Sequence, residues 1–231
     1  MVGAESVVSE YRDALQRLLA DGEFIDAQRP AMTTWIDLLE DGDVVWCVGG
    51  AAGAFALLAA ERVGGGGVVA FQSDAARRST VRSVLSSADH GAVTVEPLTL
   101  LDWRTLEVRS EDAITVGRTI QDPVGAVVDA PGTPGLPAVL AVDVPGYGAD
   151  VLSSFDRLDR GAVRAVVLKG TDTLAESELE DAGFETTVVA DRRSIRAPWR
   201  RAVVASRTGD GNAESARARA RPTSDAADDA S

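Results

Sequence analysis

Three short segments carry residue types from which a ligand site can be built, and each follows an apolar run. The first is Gly49-Gly50-Ala51-Ala52-Gly53, directly after Val44-Val45-Trp46-Cys47-Val48. Glycines after a strand permit a tight turn and let a ligand approach the backbone. They equally permit close packing of a helix on the strand. The second is Phe71-Gln72-Ser73-Asp74. Nucleoside-binding folds usually place a carboxylate there, to accept hydrogen bonds from ribose hydroxyls. Gln72 is neutral and accepts only through its amide oxygen. Asp74 comes two residues late and also reads as a helix cap. The third is Asp143, which ends the run Ala138-Val139-Leu140-Ala141-Val142 and precedes Pro145-Gly146-Tyr147-Gly148. A carboxylate beside so apolar a run is costly unless paired or partly solvated. It suits a ligand amine, a metal or a hydroxyl, and it also suits the capping of a turn.

Other chemistries lack their residues. His90 is the sole histidine and Cys47 the sole cysteine, so no zinc-ligand spacing exists and no metal is expected. An intramolecular disulfide is impossible, which fits a reducing compartment. Ser153 and Ser154 stand in no nucleophile-elbow context.

The elements that must position these residues alternate. Ala4–Asp21 reads as a helix, because Val7, Val8, Tyr11, Leu15, Leu18 and Leu19 recur at helical spacing. It opens a helical N-terminal part, residues 1–40. Val44–Val48 has the continuous apolar character of a strand buried on both faces. Ala54–Arg62 reads as a helix, Val68–Phe71 as a strand, Asp74–Ser87 as a helix and Val93–Leu98 as a strand. Leu101–Pro137 has only weak alternation and leaves room for an extra hairpin or a lid. Strand Ala138–Val142, helix Gly148–Leu158, strand Val163–Leu168 and helix Leu174–Ala182 follow. Gly183 stands where a C-cap glycine belongs. Thr186–Val189 and Ala202–Ala205 are the last strands, with no helix between them. The fold expected is α/β: a doubly wound, mostly parallel seven-stranded sheet with an antiparallel C-terminal edge pair. One domain spans 1–207. The tail 208–231 has almost no large apolar residues and is expected to be disordered.

Composition narrows the partners. The 231 residues carry 36 acidic and 23 basic side chains, a formal charge of -13. Nucleic acid is therefore not expected as a partner, because phosphate binding needs local positive charge. Lys169 is the only lysine among many arginines. This balance resembles that of salt-loving archaeal proteins; a GC-rich genome, whose codons favour Ala, Gly, Arg, Val and Asp, is the alternative. No apolar stretch reaches the roughly 20 residues of a membrane span, and no secretory signal is visible. A cytoplasmic protein is expected.

Taken in order, these segments resemble the FkbM-type S-adenosylmethionine-dependent methyltransferases, which have class I Rossmann-like folds. The likeness runs from Val44 to Arg207. Where the family reads Asp-Val-Gly-Ala-Asn-x-Gly, this chain reads Cys47-Val48-Gly49-Gly50-Ala51-Ala52-Gly53. Where it has Gly-rich residues and then Val-x-Ala-Phe-Glu-Pro, the chain has Gly64–Gly67 and then Val69-Ala70-Phe71-Gln72-Ser73. Its Lys-Ile-Asp-Val-Glu-Gly is met by Ala141-Val142-Asp143-Val144-Pro145-Gly146, and its late helix and turn resemble Leu179-Glu180-Asp181-Ala182-Gly183-Phe184-Glu185.

The resemblance implies a cofactor site formed by Cys47, Gly49, Gly50, Gly53, Gln72 and Asp143, with Asp143 as the catalytic candidate. Three acids of the pattern are missing: Cys47, Gln72 and Pro145 replace them. Two readings follow. One is a methyltransferase-like scaffold or binding protein in which S-adenosylmethionine binding is weakened or lost. The other is an active methyltransferase acting on a hydroxyl group of a small molecule or glycan. A dinucleotide-dependent oxidoreductase would need an acid after strand two and fits less well.

Overall fold

The computed structural model describes residues 3–19, 22–49, 52–64, 66–72, 75–87, 93–96, 136–144, 148–153, 163–170, 173–190 and 201–207. The tail 208–231, nearly all of Leu101–Pro137, His90 and Gly50 lie outside these residues.

Seven strands form one sheet: β1 (Val44–Gly49), β2 (Gly67–Phe71), β3 (Val93–Glu96), β4 (Val139–Asp143), β5 (Ala165–Lys169), β6 (Phe184–Ala190) and β7 (Arg201–Arg207). Their order across the sheet is β3-β2-β1-β4-β5-β7-β6. The pairings from β3 to β5 are parallel, and β7 runs antiparallel to both β5 and β6. The expected architecture holds, including the antiparallel C-terminal pair. β7 inserts between β5 and β6, so the chain's last described strand is internal and β6 forms the edge.

The helices are α1 (Ala4–Glu10), α2 (Arg12–Leu19), α3 (Gly22–Leu38), α4 (Ala52–Arg62), α5 (Ala75–Ser87), α6 (Gly148–Ser153) and α7 (Thr173–Asp181). The single helix expected over Ala4–Asp21 is two. The first ends at Tyr11, whose φ of -89 and ψ of 12 leave the helical region. The Tyr11 hydroxyl donates to Glu61 Oε2 at 2.7 Å, tying the break to α4. α3 continues through Pro30, although proline removes one backbone donor from the ladder. Packing holds it in place: Ile25, Met32, Trp35 and Ile36 are buried. The Trp35 indole donates to the Phe55 carbonyl at 3.1 Å, and the two rings meet edge to face at 5.5 Å.

Strand side chains alternate between two faces, and the core divides accordingly. Val45, Cys47, Val68, Ala70, Val139, Ala141, Ala165, Val167, Ala202 and Val204 pack toward α1–α5. Trp46, Val48, Val69, Phe71, Leu140, Val142, Val166, Leu168, Val203 and Ala205 pack with residues of α6 and α7. Both faces being covered explains why the strands read as unbroken apolar runs rather than alternating ones.

The amino edge of the sheet is fastened by charge. Arg164, just before β5, pairs with Asp43 just before β1 and lies 3.6 Å from Glu40. That network occupies the edge opposite the ligand candidates. Among the described residues no helix is long and apolar enough to cross a membrane.

Candidate functional site

Strand register brings the ligand candidates into one row. Cys47 pairs with Ala70 on one side and Ala141 on the other, and Ala141 pairs with Val167. Two residues further along, with side chains on the same face, stand Gln72, Gly49, Asp143 and Lys169. Gly49 pairs directly with Asp143. Lys169 follows the Val142–Leu168 pair and is itself opposite Ala202 of β7. The row lies at the carboxyl edge of the parallel strands, where ligands bind in open α/β sheets. The row beneath it is apolar and sealed.

Each sequence-predicted residue has a defined place in or near this row, Gly50 excepted. Gly49 has a φ of 105, a conformation open to glycine and strained for other residues. A Cβ on Gly49 would collide with the backbone carbonyl of Asp143. The space beside its Cα is thus filled by the neighbouring strand. Gly53 lies in the first turn of α4, where a Cβ would meet Val81 Cγ2 at 2.6 Å and Leu18 Cδ2 at 3.1 Å. Its role in this structure is close packing of α4 on α5 and α2.

Gln72 is 5% exposed. Its side-chain Nε2 donates to the Gly49 carbonyl at 3.1 Å, and its own backbone carbonyl accepts from Arg78 Nη1 at 2.9 Å. The amide thus bridges the ends of β1 and β2. A carboxylate in the same pose could not make the bridge, because it only accepts. Cys47 belongs to the apolar row and has no exposed surface. β1 runs two residues beyond it, so the thiol sits inside the strand rather than at its end. Burial pushes its ionisation well above the ordinary thiol range, which leaves a neutral, unreactive group.

Asp143 is half-buried at the last position of β4. Its partner in the row was missed by the sequence reading. Lys169 is 4% exposed at the last position of β5. Burial lowers its pKa from 10.5 to about 8, against the opposing field of Asp143. The signal available in the sequence was a sole lysine directly after the apolar run Ala165–Leu168. The row therefore holds an acid and a base on adjacent strands, next to an amide-bridged glycine turn. Among the described residues no three His, Cys, Asp or Glu side chains come together as a metal site.

No family model matches the chain, and no curated protein matches it. Among solved structures it is similar to a ribosomal protein L11 methylase from Lactobacillus delbrueckii subsp. bulgaricus, at 15% identity and a TM-score of 0.54, covering 79% of this chain and 79% of that one. It is also similar to a precorrin-6y C5,15-methyltransferase from Geobacter metallireducens GS-15, at 14% identity and a TM-score of 0.50, covering 78% of this chain and 88% of that one. At such identities the likeness is one of fold. The chain has a methyltransferase-like α/β scaffold.

Proposed function

We propose that this chain is an FkbM-type methyltransferase-like scaffold that binds a small molecule at the carboxyl-edge row and holds S-adenosylmethionine weakly or not at all. The observation that carries this reading is the Gln72 bridge to Gly49. The position from which the family's acid accepts ribose hydroxyls is engaged here in tying together two strands of the protein.

The described residues fit the cofactor poorly on two further counts. The Cβ positions at Gly49 and Gly53 run into the protein's own atoms, so neither glycine by itself marks space held for a ligand. Cys47 cannot stand in for the acid of the family's first motif, because its thiol is enclosed in the apolar row. A hydrogen bond to a charged group contributes roughly 1.5–3 kcal/mol. Losing the ribose acid alone therefore weakens affinity by roughly tenfold to a hundredfold.

Calorimetric titration with S-adenosylmethionine and S-adenosylhomocysteine tests the reading. No heat of binding, or a dissociation constant near ~1 mM, is expected; a value of ~10 µM or tighter overturns it. A second reading, an active methyltransferase acting on a hydroxyl group, is favoured by the acid at Asp143 and the amine at Lys169 in the carboxyl-edge row. The tight-binding outcome would make it the leading one.

A further inference from the structure

The charge of α5 sets it apart from the rest of the chain. Its residues, Ala75–Ser87, include Arg77, Arg78 and Arg82 and no acid. Every other described helix carries at least one Asp or Glu, as expected where acidic side chains outnumber basic ones by 36 to 23. Val81, Val84 and Leu85 bury one side of α5 in the core that also holds Cys47 and Ala70. The helix therefore lies on the face of the sheet to which Gln72 belongs. Arg77 and Arg82 are exposed, whereas Arg78 is half-buried. Arg78 reaches back to the end of β2, where its Nη1 donates to the Gln72 backbone carbonyl at 2.9 Å.

The end of β2 is where nucleotide-binding α/β folds read the ribose. An acid there accepts from the free hydroxyls, and an arginine near it accommodates a phosphate on the 2′ oxygen instead. Charge makes the two arrangements exclusive, since a carboxylate repels a phosphate. In this chain position 72 is neutral, and its amide donates to the Gly49 carbonyl. The same residue's backbone carbonyl holds the guanidinium of Arg78 at the strand end. A guanidinium keeps its charge at all working pH values and matches a phosphate through paired N–H···O bonds. Joining α5 to β2 needs one such donor and does not call for a helix stripped of acid.

We propose that the carboxyl end of β2 takes a nucleoside whose ribose carries a phosphate monoester, with Arg78 as the residue that binds the phosphate. Arg77 in the same turn and Arg82 one turn along add to the positive field there, which draws an anion toward this part of an otherwise acidic surface. The missing acid at position 72 then has a use, because a carboxylate at that point would repel the phosphate. This inference deepens the proposed function by naming the ligand class. It rests on the ligand site being at the carboxyl edge, but not on the affinity for S-adenosylmethionine.

The test titrates the full chain calorimetrically with three probes in one buffer: adenosine 2′-monophosphate, adenosine and inorganic phosphate. The first is expected to bind at least about tenfold more tightly than either of the others. Arg78→Gln should reduce its affinity to that of adenosine. Arg12→Gln, which removes an equal charge from α2, should leave it within about twofold. A further measurement needs no variant. A phosphate monoester takes up its second negative charge at about pH 6, so the wild type should bind adenosine 2′-monophosphate several-fold more weakly at pH 5 than at pH 7.5, with adenosine unaffected. The inference is overturned if adenosine or inorganic phosphate binds as tightly as adenosine 2′-monophosphate, if Arg78→Gln changes nothing, or if Arg12→Gln costs as much. If Arg78→Gln does not fold, the three probes and the pH dependence decide. Absence of adenosine 2′-monophosphate binding refutes this inference and leaves the reading of weak S-adenosylmethionine binding standing; tight S-adenosylmethionine binding refutes that reading whatever the phosphate probes do.

Discussion

Replacing Lys169 by methionine should make the protein more stable at neutral pH, with a pH dependence that identifies the cause. In the unfolded chain the amine has the ordinary lysine value near 10.5; in the folded protein burial lowers it to about 8. The unfolded state thus binds the proton more tightly. Stability must rise as pH increases from about 8 to 10.5, because over that window the unfolded chain carries a proton that the folded one has released. Below pH 8 both states are protonated and the full cost of the buried ammonium remains. At 1.36 kcal/mol per pH unit, that cost is about 3 kcal/mol. Methionine has similar volume and no charge, so Lys169→Met should gain about 1–3 kcal/mol at pH 7, shrinking toward zero by about pH 10.5. Urea melts of both proteins at intervals from pH 7 to 10.5 provide the assay. Subtracting one series from the other cancels every other titrating group. A difference that stays constant with pH, or a variant less stable than wild type at pH 7, would refute the reasoning.

Three further outcomes are expected. Gly49→Ala should cost more than Gly170→Ala in urea melts: both have positive φ, at 105 and 92, and each pays about 1–2 kcal/mol for the conformation, but only at Gly49 does the new methyl group strike the Asp143 carbonyl. Cys47→Asp should lose several kcal/mol, because it places a carboxylate in a fully buried apolar row; in the wild type, iodoacetamide should alkylate Cys47 only once the protein is denatured. Thermal melts in ~0.1 M and ~3 M KCl should show the higher melting temperature in high salt, because the excess of acid repels itself less when the screening length falls to about 3 Å; a flat or falling response would favour the GC-rich alternative.

The sheet was legible in the sequence because both its faces are covered. Runs such as Val44–Val48 and Ala138–Val142 are apolar throughout, and alternation with helical segments is enough to imply parallel strands and crossovers. The helical N-terminal part was less so. Pro30 argues against a helix by local rules, and burial of Ile25, Met32, Trp35 and Ile36 in the core shared with α1, α2, α4 and the sheet holds α3 together. The break at Tyr11 is likewise invisible to periodicity, since residues on both sides of it face the same core.

The candidate site divides along the same line. Local sequence places Gly49 and Asp143 at the ends of strands and Gln72 directly after one, because each follows an apolar run. What those residues do depends on their neighbours across the sheet. Strand order puts β1 between β2 and β4, which lets the Gln72 amide reach the Gly49 carbonyl and sets the Asp143 backbone against Gly49. It also puts β5 beside β4, bringing Lys169 to Asp143 from 26 residues along the chain. Hydrogen-bond reach, burial and the field of one charge on another act through space over a few ångströms, so a residue's position in the chain sets the row it can join, and only the pairing of strands decides which side chains share it.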